Sequence, residues 1–450
     1  MGLRMRRTLL PARREERGQT LIFVAVALVS LLGMAALAID VVTLYVAKSE
    51  AQRAADAAAL AGATAFVSAG ATTYPSGTSQ AALLNPLGAN MASSFIAAAL
   101  AQNNVSGSPP QLVGSPTIDY TTYPGNPHIT VTVQQTNLPT FFARIWGKTS
   151  ASVQATATAE AYNSSSSLNS IGSYIPVSPR CVKPILILNN DPNGTPPDPF
   201  VVETSGAVST PASSLWGTGF IGEYVSFSSA CNPAGAGCSP NVTVGYVPAA
   251  IPAPSSSSGA NGSYNSTVCP GDCATLGGSS YQQSISCCDT TLYNFNQCGN
   301  GAQSMYYDIS NNPDNPAQTQ NGLQCVVHAS AGLPIDALNI PSTYPTDPFH
   351  INPGTYTQTA LGLGAATNMS TSDSIVTLPI IDPGIITSGG PTVIVVGFLQ
   401  LFVTSVPGTV TGSDFSGFIL NVIGCGNGAT AGAISGGGVS PVPVRLITPP

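Results

Sequence analysis

"RGQTLIFVAVALVSLLGMAALAIDVVTLYVAKSEAQRAADAAALAGA", from Arg17 to Ala63, decides how this chain is built. Leu21 to Ile39 is a run of 19 residues without a charge. At about 1.5 Å of rise per residue a helix of that length spans roughly 29 Å, close to the roughly 30 Å hydrocarbon core of a bilayer. Arg4, Arg6, Arg7, Arg13, Arg14 and Arg17 precede the run, and few basic residues follow it. Positive charge is retained on the cytoplasmic side, so the spacing predicts an N-terminus inside and everything after Asp40 outside the inner membrane. A cleaved export signal is the rival reading, because Ala36-Leu37-Ala38 has the small-x-small form of a signal-peptidase site. Against it, the apolar run exceeds the roughly 7–15 residues of a signal core. The helical pattern also continues past it. Val41 to Phe66 has no Pro, a single Gly at Gly62, many alanines and an i,i+3 pair in Glu50 and Arg53. Gly62 is expected to loosen this helix, and the stretch Gly70–Pro75 to end it. One continuous helix of roughly 45 residues follows, half in lipid and half out, with alanines that permit close packing.

Composition fits export. Of 450 residues only 7% are charged, where about a quarter is usual, while Gly (46) and Pro (38) are plentiful. Such a chain suits a β-rich, loop-rich exported protein better than a cytosolic enzyme. Residues 1–17 carry a net charge of +4 and residues 40–450 a net −11, so no basic stripe for nucleic acid lies outside the N-terminus. All ten cysteines lie beyond residue 180: Cys181, Cys231, Cys238, Cys269, Cys273, Cys287, Cys288, Cys298, Cys325 and Cys425. An even number in an exported, loop-rich region reads as disulfides. The rival is a metal site, but only His128, His328 and His350 could supply imidazole ligands, and no paired CxxC occurs. Pairing is not readable from sequence, although Cys231–Cys238 and Cys269–Cys273 are near enough for local loops.

The ordered cluster of Gly18 and Gln19 before the apolar run, Asp40 at its end, Tyr45, then Gln52, Ala55, Asp56, Ala57, Ala58, Leu60, Ala61 and Gly62 resembles the N-terminal domain of the Flp pilus-assembly TadE/TadG-like family. The resemblance covers about 50 residues. It implies a bacterial inner-membrane protein tied to tight-adherence pili or a related envelope system. Its partners would be membrane lipid and other pilus-assembly or envelope proteins, with no nucleic acid, small-molecule substrate or cofactor. In pilin-like members of the TadE kind a glutamate stands at the fifth position after the processed glycine; here that position is Phe23. The TadG-like branch, an anchor carrying a large exported domain, therefore fits better. Many of its members end in a von Willebrand A domain with a DxSxS metal motif. The nearest strings here begin at Asp308 and Asp414, and both miss the last serine, so neither that domain nor its metal is expected.

The expected fold class is α+β: a transmembrane helix continuing into an Ala-rich helix, then a mainly β, disulfide-containing region. Its parts are a basic segment (1–17), the anchor and outer helix (18–66), a small α+β module (67–162), a polar linker (163–170) and a β-rich domain (171–450) with a Cys-rich insertion around 231–325. In the module, Met91–Ala101 is a short helix candidate. Ile129–Gln134 and Ala151–Ala159 alternate as strands. Phe141, Phe142, Ile145 and Trp146 between them are expected to cap a small core, and helix 41–66 to pack beside the module. Ile185–Leu188 and the block 375–425 are expected to share one sheet. Val393 to Val406 has only 14 residues, with Gln400 and many β-branched residues, and reads as a long buried strand rather than a second span. "PVPVRLI" near the end reads as an edge strand, where prolines are tolerated.

No catalytic constellation emerges: no GxSxG, no Walker loop, and three isolated histidines, with His128 read as a surface residue. Asp191, Asn193 and Asp198, and likewise Asp308, Asn311, Asn312, Asp314 and Asn315, lack the EF-hand register and read as turn chemistry rather than calcium sites. The leading function is an assembly component acting by protein–protein contact. An adhesin-like binding module on the same anchor is the alternative.

Overall fold

The structure, a computed structural model, describes residues 16–73, 80–120, 126–163, 177–193, 198–203, 206–209, 219–230, 245–249, 266–269, 273, 280–289, 304–306, 316–329, 333–342, 344, 349–369, 371–382, 392–408, 414–424, 434–435 and 440–447. The chain divides into two compact units. One comprises residues 1–55, 100–114 and 132–156, the other residues 56–99, 115–131 and 157–450.

Helix α1 runs unbroken from Glu16 to Ser68, 53 residues, as the proline-free pattern requires. Gly70, at φ +66°, ends it where the polypeptide turns. Gly62 does not loosen it. It stays helical, and a Cβ there would lie 2.7 Å from Ile129 Cδ1 and 3.2 Å from Ile96 Cδ1, so the glycine is a point of close approach. Helix α2 covers Gln80–Gln102, well beyond the expected Met91–Ala101. Strands β1 (Gln111–Leu112), β2 (Thr117–Asp119), β3 (His128–Pro139) and β4 (Ser150–Ala161) follow, with a 3-10 helix, Ala143–Trp146, at the tip of the β3–β4 hairpin. The sheet runs β1-β3-β4 and on to Val444–Ile447 (β20), with β2 also on β3.

In the first unit β1 pairs antiparallel with β3, Gln111 opposite Gln134, and the hydroxyls of Thr132 and Thr156 meet at 3.0 Å. In the second, β2 pairs with the start of β3, and β20 (Val444–Ile447) pairs antiparallel with the end of β4, Val444 opposite Ala161. The terminal apolar stretch is thus an edge strand as expected, but of the hairpin's sheet.

The second unit also holds the larger sheet. Its strands are β6 (Ile185–Leu188), β9 (Tyr224–Ser229), β10 (Gly245–Pro248), β16 (Ile375–Ile381), β17 (Thr392–Ser405) and β18 (Phe415–Gly424), with β13 (Ser304–Tyr306) added against β17. The order β17-β16-β6-β10-β9-β18 returns to β17, so six strands close into a barrel. Antiparallel pairs dominate; β6–β16 and β9–β10 are parallel. Closure removes exposed strand edges. It also explains why these strands read as continuous apolar runs: β6, β10 and nearly all of β16 are buried at every position. In the core the Phe415 ring packs at a tilt against Phe227 and Tyr246, with centroids 5.2 and 5.5 Å away. As expected, Ile185–Leu188 shares this sheet with β16, β17 and β18, and the run from Val393 falls in β17, buried from Val395 to Val403.

Short ladders complete the unit: β5 (Val177–Ser178) with β19 (Ile434–Ser435), β7 (Val201–Val202) with β8 (Ala207–Val208), β11 (Ser266–Val268) with β12 (Cys288–Asp289), and β14 (Ala337–Asn339) with β15 (His350–Asn352). Helices α3 (Ser280–Ser286) and α4 (Pro316–Val326) pack together, Ile285 against Gly322, and α5 covers Thr355–Leu361. Among the described residues three disulfides brace this region: Cys181–Cys288, Cys269–Cys287 and Cys273–Cys325. Cys269 and Cys273, near enough in sequence for a local loop, pair elsewhere: β11 and β12 bring Cys269 to Cys287, and Cys273 bonds Cys325 at the end of α4. Cys231, Cys238, Cys298 and Cys425 lie outside the described residues, and with them the Cys231–Cys238 pairing.

Candidate functional site

The residues singled out from sequence line α1, and the helix changes character along its length. Every large apolar side chain from Leu21 to Ile39 is exposed, between 49% and 73%. Phe23, where a pilin-like chain carries glutamate, is among them. Ser30, the one hydroxyl in this run, donates to the Val26 carbonyl at 2.8 Å, so the helix satisfies it internally. This helix is long and apolar enough to cross a membrane. Val41, Val42 and Val46 are still exposed, and from Ala47 the pattern inverts: Ala47, Ala51, Ala54, Ala55, Ala58 and Ala59 are all at most 1% exposed. Their three- and four-residue spacing makes one buried face, and methyl side chains let neighbouring backbone come close.

Asp40 stands at the junction and is 2% exposed. A carboxylate next to 19 uncharged residues is costly unless satisfied. Here it is. Its oxygens accept from the backbone N–H groups of Phe141 (2.8 Å), Phe142 (3.0 Å) and Ala143 (2.6 Å). These amides open the hairpin's 3-10 helix, where N–H groups lack partners within the helix and the dipole favours a negative charge. Phe142, the residue at the cap position, supplies no side-chain cap of its own. Asp40 therefore caps a helix about a hundred residues away in sequence. Two further side chains of α1 hold the same hairpin: Lys48 Nζ donates to the Gln154 carbonyl, and Gln52 Nε2 to the Thr156 carbonyl at 3.2 Å. Glu50 accepts from the Ser106 N–H at 2.7 Å. The outer helix thus lies beside the strand–turn–strand unit, as expected from sequence.

The remaining marked residues divide by role. Ala55 and Ala58 are fully buried, Asp56 and Leu60 half-buried, and Gly62 gives the close approach to Ile96 and Ile129. Tyr45 is 76% exposed. Gly18 and Gln19 lie within the helix, and their side chains are outside the described set. The aromatic turn departs from expectation. Phe141 is 57% and Ile145 73% exposed, so they do not cap a core, because the clamp on Asp40 holds the turn against the helix and leaves these side chains outward.

The histidines each have a structural partner. His128 is not a surface residue. Its Nε2 lies 3.1 Å from Glu160 Oε2 across the β3–β4 ladder, and its side chain is 13% exposed. Glu160 also pairs with Arg445 of β20, whose guanidinium sits 5.1 Å from the Tyr162 ring centre. Burial opposes the Glu160 charge, but bonds to His128 and Arg445 hold its pKa below the ordinary glutamate value. His328 stacks on Tyr356 and reaches Asp373 at 3.2 Å; His350 pairs with Asn339. A cleft of about 450 Å³ between α2 and β15 is lined chiefly by Met91, Phe95, Phe349, Ile351 and Met369, with His350 its one titratable group.

Among the described residues no group of three His, Cys, Asp or Glu side chains is placed to hold a metal. Asp191 accepts from Asn193 N–H at 2.9 Å, a local turn as expected, while Asp308 to Asn315 lie outside the described residues. Asp414 accepts from Ser229 N–H (2.8 Å) and Tyr246 Oη (3.1 Å) and braces the barrel.

Compared with known proteins, residues 18–65 match the family model of Flp pilus-assembly TadE/G-like (Tad) proteins. The match begins at Gly18, takes in Asp40 and Gln52, and ends short of both sheets. No curated protein and no solved structure matches the chain.

Proposed function

We propose that the chain is a membrane-anchored, periplasm-facing structural component of a Flp (tight-adherence) pilus-assembly system, of the TadG-like kind, working by protein–protein contact without catalysis. The observation that carries this reading is the division of α1. Its first half exposes every large apolar side chain from Leu21 to Ile39, a bilayer's thickness, and its second half buries alanines. The family match over residues 18–65 supports the pilus-assembly setting. Phe23 supports the anchor over a polymerising subunit, because a subunit packed in lipid through its N-terminus needs a carboxylate near that position. The arginines before residue 18 favour a cytoplasmic N-terminus. The parts proposed are the basic segment 1–17, the anchor and outer helix 18–66, the small module 67–162, the linker 163–170 and the β domain 171–450. Of the marked residues of α1, Asp40 and Gln52 serve assembly by fixing the hairpin to the helix.

Membrane fractionation of the native protein with intact-mass measurement tests the anchor. Expected is a carbonate-resistant membrane protein whose mass includes residues 21–39. A soluble form beginning at Ile39 sinks the anchor, and a cut after Gly18 restores the pilin-like reading. Deleting the chain is expected to abolish piliation; pili that persist while surface attachment is lost favour the adhesin instead.

A further inference from the structure

The tip of the β3–β4 hairpin is apolar, exposed and fixed beside the outer end of the uncharged run. Phe141 and Ile145 point outward, at 57% and 73% exposure. Arg144 and Lys148 flank them and are exposed as well. The backbone N–H groups of Phe141, Phe142 and Ala143 all lie within 3.0 Å of the Asp40 carboxylate. Asp40 follows Ile39, the last residue of the run, so the clamp sets the height of the tip. A helical side chain leans toward its own N-terminus, here toward the run rather than away from it. Tyr45 is five residues further out, and at about 1.5 Å per residue it stands roughly 7 Å beyond Asp40. That is about the depth of one headgroup layer, given bilayers of roughly 40–45 Å around a core of roughly 30 Å. Tyr45 is 76% exposed.

We propose that the hairpin tip is a second, interfacial membrane contact. Phe141 and Ile145 sit at the boundary between acyl chains and headgroups, Arg144 and Lys148 face lipid phosphates, and Tyr45 lies at the same interface. The inference rests on α1 being the membrane anchor. Given that, the occupant of the tip follows from continuity. The exposed apolar surface of residues 21–39 is in lipid, and a turn bonded to the next residue meets the same bilayer. Aromatic residues with cationic neighbours are the composition that interfaces select. Asp40 is then a positioning residue. It sets depth by holding the turn, and the contact fixes the rotation of the helix as well as its insertion.

The test uses the full chain in nanodiscs of phosphatidylethanolamine and phosphatidylglycerol, with p-benzoylphenylalanine introduced singly at Leu28, Ile145 or Leu112. All three side chains are exposed, so the substitutions leave packing alone. Leu28 reports the anchor. Leu112, paired opposite Val133 far along β3 from the tip, reports background. After irradiation, lipid-adduct yield at Ile145 is expected within about twofold of Leu28 and at least about fivefold above Leu112, as an interfacial site requires. Adducts at Leu28 with only background at Ile145 overturn the tip contact and leave the anchor standing. Background at Leu28 overturns both. An adduct from Ile145 to a second copy of the chain replaces the lipid by a subunit interface and overturns the proposal.

Discussion

Glu223 shows how a single residue sets a pH response. It is 4% exposed, and its Oε2 has no hydrogen-bond partner among the described residues. Burial, helped by the nearby Asp191 carboxylate and opposed by a bond from Asn193, raises its pKa to about 7. The folded chain therefore keeps this proton to higher pH than the unfolded chain does, and stability falls as pH rises from the ordinary glutamate value toward 7. Urea midpoints between pH 5 and pH 8 should decline more steeply for the native chain than for Glu223→Gln; equal slopes would remove Glu223 as the cause. Gly70 is a second such residue. Its φ is +66°, and a Cβ would lie 2.8 Å from the Leu420 carbonyl oxygen of β18. Gly70→Ala should cost about 1–3 kcal/mol in chemical denaturation, since the left-handed conformation and the backbone contact both resist a side chain. Asp40 was legible as a motif residue but not as a cap, because its partners are set by folding. The signal available was a lone carboxylate ending an uncharged run, which must find donors.

Among elements, those with strong local patterns were legible. The unbroken α1 follows from an absence of proline. Ile185–Leu188, Ile375–Ile381 and Thr392–Ser405 follow from β-branched apolar runs too short for a span. Closure into a barrel was not legible, because β17 uses both edges and the parallel β9–β10 pair is set by crossovers that leave no local mark. Helices α3 and α4 were missed because polar residues dominate them; Pro316 at the first position of α4 was the available cue. The disulfides tie these elements together. Cys181–Cys288 spans 107 residues, a loop long enough for the cross-link to restrict the unfolded chain strongly. Replacing both by alanine should lower stability by about 2–5 kcal/mol in urea titration. Nonreducing peptide mapping should recover Cys181 with Cys288 and Cys269 with Cys287.

At the level of the whole molecule, composition gave the class and charge asymmetry gave the proposed orientation, while the family match stops at residue 65. The assignment of the C-terminus was the largest surprise. Residues 444–447 return to pair with β4, where Arg445 reaches Glu160. Those partners are 285 residues apart in sequence, and periodicity within a segment cannot report such a pairing.

That returning strand has a consequence for biogenesis. A ribosome delivers the chain from its N-terminus, so β4 emerges nearly three hundred residues before the strand that covers its edge. Throughout that interval the open edge of β4 can recruit any extended segment that passes. The single charge of β4, Glu160, then acts as a gatekeeper that waits for Arg445. Covering that edge waits on residues 444–447, so a chain that lost them would keep the edge of β4 open to mispairing.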